Sequence, residues 1–132
     1  MTEPVPPGAH RSDIQVRFAD TDALGHLNNA SFALYAEHAR LDFLRTLGGA
    51  VEALILAHLA LDFRSQVKYG ERIRVMTWVE KVGTTSITLR QRVLAEERTA
   101  ADVRSVVVHF DYAAQRPVPI ADEVRRRLRP YP

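Results

Sequence analysis

The chain has 132 residues, 46% of them hydrophobic, enough to bury one sizeable core and too few to argue for a second domain. Cysteine is absent, which excludes a thiol nucleophile, a disulfide framework and a Cys-ligated zinc or iron–sulfur site, and fits a reducing, cytoplasmic setting. The formal charge is +2, with much of the excess in Arg125-Arg126-Arg127-Leu128-Arg129, so this tail reads as a solvated helix face and not as a nucleic-acid arm.

The N-terminal run from Met1 to Gly8 lacks a basic flank and an apolar stretch. It reads as a lead-in, flexible to about residue 12, and not as a signal peptide. No apolar run is long enough to span a bilayer. Residues 1–132 therefore form one expected domain.

Ile14, Val16 and Phe18 alternate with Gln15, Arg17 and Ala19, the period of a half-buried strand that stops at Asp20. From Ala30 to Leu47 the spacing turns helical, with Phe32, Ala36, Ala39, Phe43 and Leu47 on one face. Asn28 or Asn29 caps this helix and Gly48-Gly49 ends it. Leu34, Leu41 and Leu44 widen the apolar face, which predicts a largely buried helix. Val51 to Ala57 reads equally as a short helix or as the lead into a strand.

Beyond it the pattern is that of strands. Leu59, Leu61 and Phe63 alternate with polar or small residues, Lys68-Tyr69-Gly70-Glu71 makes a turn, and Ile73 to Val79 alternates again. Val82-Gly83-Thr84 and Glu96-Glu97-Arg98 turn the chain into two further strands, Ile87 to Leu94 and Val103 to Phe110. Arg116 to Pro119 closes the sheet, and Ala121 to Arg129 reads as a terminal helix. One strand, one long helix and a meander of antiparallel strands make an α+β fold with a sheet wrapped over a helix.

The strand-to-helix junction gathers Asp20, Asp22, Gly25, His26, Asn28 and Asn29 within ten residues. Such a junction aims carboxylates and the unpaired N–H groups of a helix start at one small volume. Asp20 reads as a scaffold for turn amides. Asp22 reads as scaffold or reacting acid, and His26 as a packed side chain or a pocket residue. Gly25 lets the backbone come close to a ligand. Asn28 and Asn29 are cap residues whose functional role would come through the backbone.

The run Asp20-Thr21-Asp22-Ala23-Leu24-Gly25-His26-Leu27-Asn28-Asn29-Ala30-Ser31-Phe32, with Tyr35, Glu37, Ala39 and Arg40, resembles the start of the hotdog-fold acyl-CoA thioesterases of the 4-hydroxybenzoyl-CoA thioesterase group. Tyr69-Gly70-Glu71, Val82-Gly83-Thr84-Thr85-Ser86 and Phe110-Asp111-Tyr112 before Arg116-Pro117-Val118-Pro119 are similar in order and spacing, so the likeness covers the chain from about Asp13. It implies an antiparallel sheet wrapped around a central helix, and hydrolysis of an acyl-CoA to acid and free CoA.

It further implies that Asp22, the second acid of the pair, is catalytic as general base or nucleophile, and that the Asn29 backbone N–H receives the substrate carbonyl. His26 and Asn29 are both eligible as its assistants, because relatives carry histidine at one or the other position. Coenzyme A is then part of the substrate, with no separate cofactor. Hotdog subunits pair edge to edge, so a homodimer or homotetramer is expected, and the last strands of the meander are the edges that suit it.

Phe32, Tyr35 and Leu59 are expected to set the acyl pocket. Arg72, Arg74, Arg90, Arg92 and Arg104 fall on one sheet face, which reads as solvated, with Lys68, Arg72 and Thr84 as candidates for the phosphates of CoA. His38, His58 and His109 have no metal-ligand spacing, and no G-x-S-x-G elbow occurs, so neither metal nor serine chemistry is expected. No motif supports nucleic-acid binding. Two other readings remain: a hydratase of enoyl or hydroxyacyl thioesters, although its D-x-N-P-x-H-like run is absent, and a non-catalytic acyl-CoA-binding module.

Overall fold

The computed structural model describes residues 3–48 and 53–128. In chain order the elements are β1 (His10–Gln15), α1 (Asn29–Arg45), β2 (Leu54–Phe63), β3 (Arg72–Val82), β4 (Ser86–Ala95), β5 (Arg98–Asp111), β6 (Arg116–Pro117) and α2 (Asp122–Leu128). The strands form one antiparallel sheet in the order β1-β3-β4-β5-β2, with short β6 on the end of β5. The α+β arrangement expected from the sequence is the one observed. Among the described residues no helix is long and apolar enough to cross a membrane.

Alternation puts Ile73, Val75, Thr77 and Val79 of β3, Ile87, Leu89, Gln91 and Val93 of β4, and Ala101, Val103, Ser105 and Val107 of β5 on the face that wraps α1. The helix meets them with Phe32, Ala36, Ala39 and Phe43. Each fully buried large apolar side chain here contributes about 1.5–3 kcal/mol. Gln91 fixes the helix to the sheet, its Nε2 donating to the Ala36 carbonyl (3.0 Å) and to Thr77 Oγ1 (3.1 Å).

Four expectations change. The first strand lies earlier, because residues 18–20 form a single 3-10 turn that breaks the alternation and leaves Phe18 78% exposed. The lead-in is partly ordered: His10 to Ser12 pair with β3, and the Glu3 carbonyl accepts from the Arg92 guanidinium on the outer sheet face. The helix is buried on one face only, with Leu34 exposed. The free sheet edges are β1 and β2, not the last strands, because β2 crosses over to cover β5.

Other features fall as expected or are resolved. Asn28 caps α1 through its side chain, which accepts from the Ala30 N–H. The ambiguous stretch is strand from Leu54, while Val51, Gly49 and Arg129 lie outside the described residues. The outer-face arginines are mostly paired: Glu80 accepts from Arg90 (2.7 Å) and Arg104 (3.2 Å), and Asp102 from Arg92 (2.8 Å) and Arg64 (3.2 Å). The tail departs from the solvated face expected of it: Arg125 donates to the Gly83 and Thr84 carbonyls and Arg127 to the Leu47 carbonyl, so these two arginines dock α2 against the core.

Candidate active site

The junction is built on Asp20. Its side chain is 4% exposed and accepts from the Tyr35 hydroxyl (2.6 Å), the Arg17 guanidinium (2.9 Å) and the Arg17 N–H (3.1 Å). Its carbonyl accepts from the Asn28 N–H (2.9 Å) and the Ser31 hydroxyl (3.0 Å). One residue thus ties the end of the 3-10 turn to the first two turns of α1. The Arg17 and Tyr35 bonds hold its carboxyl down to about 2, whereas burial and the same bond push the Tyr35 hydroxyl up.

From this base the chain makes a narrow hairpin. Asp20 and Asn28 close it, Thr21 and Leu27 bridge above them, and the Asp22 N–H donates to the His26 carbonyl (2.7 Å). The tip turns at Gly25, whose φ of +82° is left-handed. A Cβ there would meet no other atom of the chain within 4 Å, so within the chain it is the turn that requires glycine.

Asp22 is exposed, and its Oδ1 accepts from the backbone N–H groups of Leu24 (2.9 Å) and His26 (3.1 Å). These two bonds, that from His26 foremost, hold its carboxyl below the ordinary carboxylate range. Oδ2 takes part in neither. Asp22 stands two hairpin pairs above the N-cap, about 6–7 Å along the strand. Asn29 is the first helical residue, so its N–H has no acceptor within the helix and carries the positive end of the dipole.

The sequence-derived candidates separate accordingly. Asp22, Gly25, His26 and Asn29 share this hairpin and helix start. Asn28 commits its amide oxygen to the cap. Phe32 and Tyr35 are buried within the chain, Phe32 against Phe63 with ring centroids 5.3 Å apart and Tyr35 on Asp20. Lys68 is brought to the hairpin, because the second leg bridges it at His26 and the Leu27 N–H donates to the Val67 carbonyl (2.7 Å). Arg72 begins β3 nearby and pairs with Glu96 (3.4 Å). Thr84 follows the far end of β3, about 35 Å along the strand, and in one chain cannot join Lys68 and Arg72.

Sequence reasoning missed the apolar rim. Phe18, Leu24 and Tyr69 surround the hairpin exposed, Leu24 at 80%, with Phe18 and Tyr69 edge to face at 6.0 Å. The short spacing of Arg17 and Asp20 was the signal that the chain leaves the strand before Phe18. An open groove of about 740 Å³, lined in part by Tyr69, lies between β1, β3 and the β4–β5 turn and includes none of Asp22, His26 or Asn29. Among the described residues no three His, Asp or Glu side chains converge as a metal site would require.

Residues 16–128 match the family model described as the thioesterase-like superfamily. An 80-residue stretch is 31% identical to the uncharacterized protein YsmA of Bacillus subtilis and spans 58% of this chain and about half (54%) of that protein. The acyl-CoA thioesterase YbgC of Haemophilus influenzae is 27% identical over 120 residues, 85% of this chain and 88% of the relative. A thioesterase from Thermus thermophilus, solved in complex with coenzyme A and Zn, superposes with a TM-score of 0.85 at 28% identity, covering 92% of both chains.

Proposed function

Because this chain belongs to the thioesterase-like superfamily, we propose that it hydrolyses the thioester of an acyl-coenzyme A to the free acid and CoA, with Asp22 as the reacting carboxylate. The observation that carries this reading is the state of Asp22. It is ionised, exposed and pinned through one oxygen by two backbone N–H groups, with the other oxygen outside those bonds, beside a helix start whose first N–H lacks an acceptor.

The substrate carbonyl oxygen accepts from the Asn29 N–H, and a donor so placed is typically worth on the order of 10²–10³ in rate. Asp22 Oδ2 then attacks the carbonyl carbon, or removes a proton from a water that does. Either route passes through a tetrahedral oxyanion facing the helix start and expels the CoA thiolate, which takes up a proton. On the direct route water afterwards splits the mixed anhydride and restores Asp22. The lowered pKa of Asp22 keeps the carboxylate ionised at neutral pH, which both routes require.

Lys68, next to His26, is the cation placed to meet the CoA phosphates, and Arg72 can join it by leaving Glu96. Thr84 serves this contact only from a second subunit. The apolar rim of Phe18, Leu24 and Tyr69, and the free edge of β2, support an edge-to-edge dimer in which Leu59 borders the acyl site, with Phe32 and Tyr35 buried behind it. The coenzyme A held by the Thermus relative supports the choice of carrier.

Thiol release measured over a panel of aromatic and aliphatic acyl-CoAs tests the reading. Wild-type protein should release CoA, and Asp22→Asn should not. Equal rates in both would refute the role of Asp22, and loss of enoyl absorbance without thiol release would make the protein a hydratase.

A further inference from the structure

Under α1, Arg40 Nη1, Gln91 Oε1 and Ser105 Oγ are buried with no hydrogen-bond partner among the described residues. Their residues are 6%, 1% and 0% exposed. Polar atoms at such depth are nearly always hydrogen-bonded, to protein or to water. The register of the sheet brings these three to one place.

Gln91 of β4 pairs with Val103 of β5, and Leu89 with Ser105, so Ser105 is the diagonal neighbour of Gln91 on the face that wraps α1. Such neighbours are rooted about 7–8 Å apart. Gln91 commits Nε2 to Thr77 of β3 and to the Ala36 carbonyl, which turns Oε1, the other corner of the amide, away from both. Arg40 comes from α1 itself. The helix runs in the direction from Gln91 to Leu89, since Phe43 and Leu44 pack with Ile87, Leu89 and Val107. One turn past Ala36 covers about 6 Å and two strand residues about 6.5 Å, so Arg40 starts level with Ser105. Asp42 accepts from Ser12 and marks the flank toward β1; at about 100° per residue, Arg40 lies past Ala36 on the side of β5. Helical side chains lean toward the N-terminus, which carries the guanidinium back between Ser105 and Gln91.

The chemistry of the three atoms decides what fits among them. Arg40 only donates. Gln91 Oε1 only accepts, and the amide cannot turn over, because the Ala36 carbonyl requires its N–H. An anion would be repelled by Oε1 and a cation by the guanidinium, so the ligand is small, neutral, and both donor and acceptor. We propose that a single internal water binds here, accepting from Arg40 Nη1, donating to Gln91 Oε1 and bonded to Ser105 Oγ. Three bonds are typical of a buried water. Two bonds of about 2.8 Å meeting at a tetrahedral angle span about 4.5 Å, which suits inward-reaching side chains rooted about 7–8 Å apart. The charge of Arg40 does not fall to the water, since Glu37, one turn earlier, already acts on it. Gln91 alone ties α1 to β3 and β4, and the water carries that tie on to β5, across the three central strands.

A crystal structure of the native protein at a resolution that orders waters, repeated on crystals soaked in sodium bromide, tests the site. The expected result is one water within about 3.2 Å of all three atoms and no anomalous bromide peak there. Ser105→Val sets a methyl group where the water stands, so one long-lived water should vanish from the water-oxygen relaxation dispersion of the dissolved protein. Should that variant not fold, the native density decides alone. A direct bond from Arg40 Nη1 to Gln91 Oε1 or Ser105 Oγ, a bromide peak, a dry gap, or the same long-lived waters in Ser105→Val would each overturn the proposal. None of these outcomes depends on thiol release, so the water site and the catalytic reading stand or fall separately.

Discussion

Asp20 and Asp22 lie two positions apart and differ in everything that decides chemistry. Asp20 is buried, and its carboxyl is held at about 2 by Arg17 and Tyr35, whereas Asp22 is exposed and held by backbone N–H groups. Asp22→Asn keeps an amide oxygen for the Leu24 and His26 N–H groups, so the hairpin should persist. Hydrolysis should fall by about 10²–10⁴-fold with little change in melting temperature, as paired kinetics and thermal denaturation would show. Since the Asp22 carboxyl lies below the ordinary range, kcat/KM should stay flat from about pH 8 down to about pH 5. An inflection near about 6.5 would instead assign the base to a histidine. Gly25→Ala should cost about 1–2 kcal/mol in denaturant unfolding although the space is open, because an L side chain resists a φ of +82°.

The hairpin and α1 act as one element because Asp20 joins them. Tyr35→Phe removes a donor from a buried carboxylate and should cost about 1–3 kcal/mol, with a drop in turnover as the hairpin loosens against the helix start. The pH dependence has a definite sign. The folded pKa values of Asp20 and Glu71, each about 2, lie below their unfolded values, so their stabilisation is complete above about pH 5 and is lost as pH falls toward 2. Asp20→Asn should flatten that part of an acid-unfolding curve. The elements were largely legible in the chain: helical spacing and Asn28 marked α1, and alternation marked β3 to β5. What was not legible was the length of β1, because a single 3-10 turn at residues 18–20 ends the strand while the apolar alternation runs on to Phe18.

At the scale of the molecule, the crossover of β2 decides which edge is free, and it is there that the proposed dimer would join. Leu56→Lys, placing a charge on the uncovered stripe, should shift the protein toward monomer by light scattering, and hydrolysis should fall with it if the dimer completes the acyl site. The sequence by itself determined the α+β class, a cap at Asn28 or Asn29, of which the structure uses Asn28, and the resemblance that the family match bears out. These depend on neighbours along the chain: a two-residue alternation, a side chain reaching its own turn, an acid two places from another. Only the tertiary structure decided that Tyr35 serves Asp20, that Lys68 reaches the hairpin while Thr84 lies at the far end of β3, and that Arg40 is buried with Nη1 lacking a hydrogen-bond partner. Those depend on which strands the sheet sets side by side, and strand order is chosen by the burial of the whole core, which no local pattern encodes.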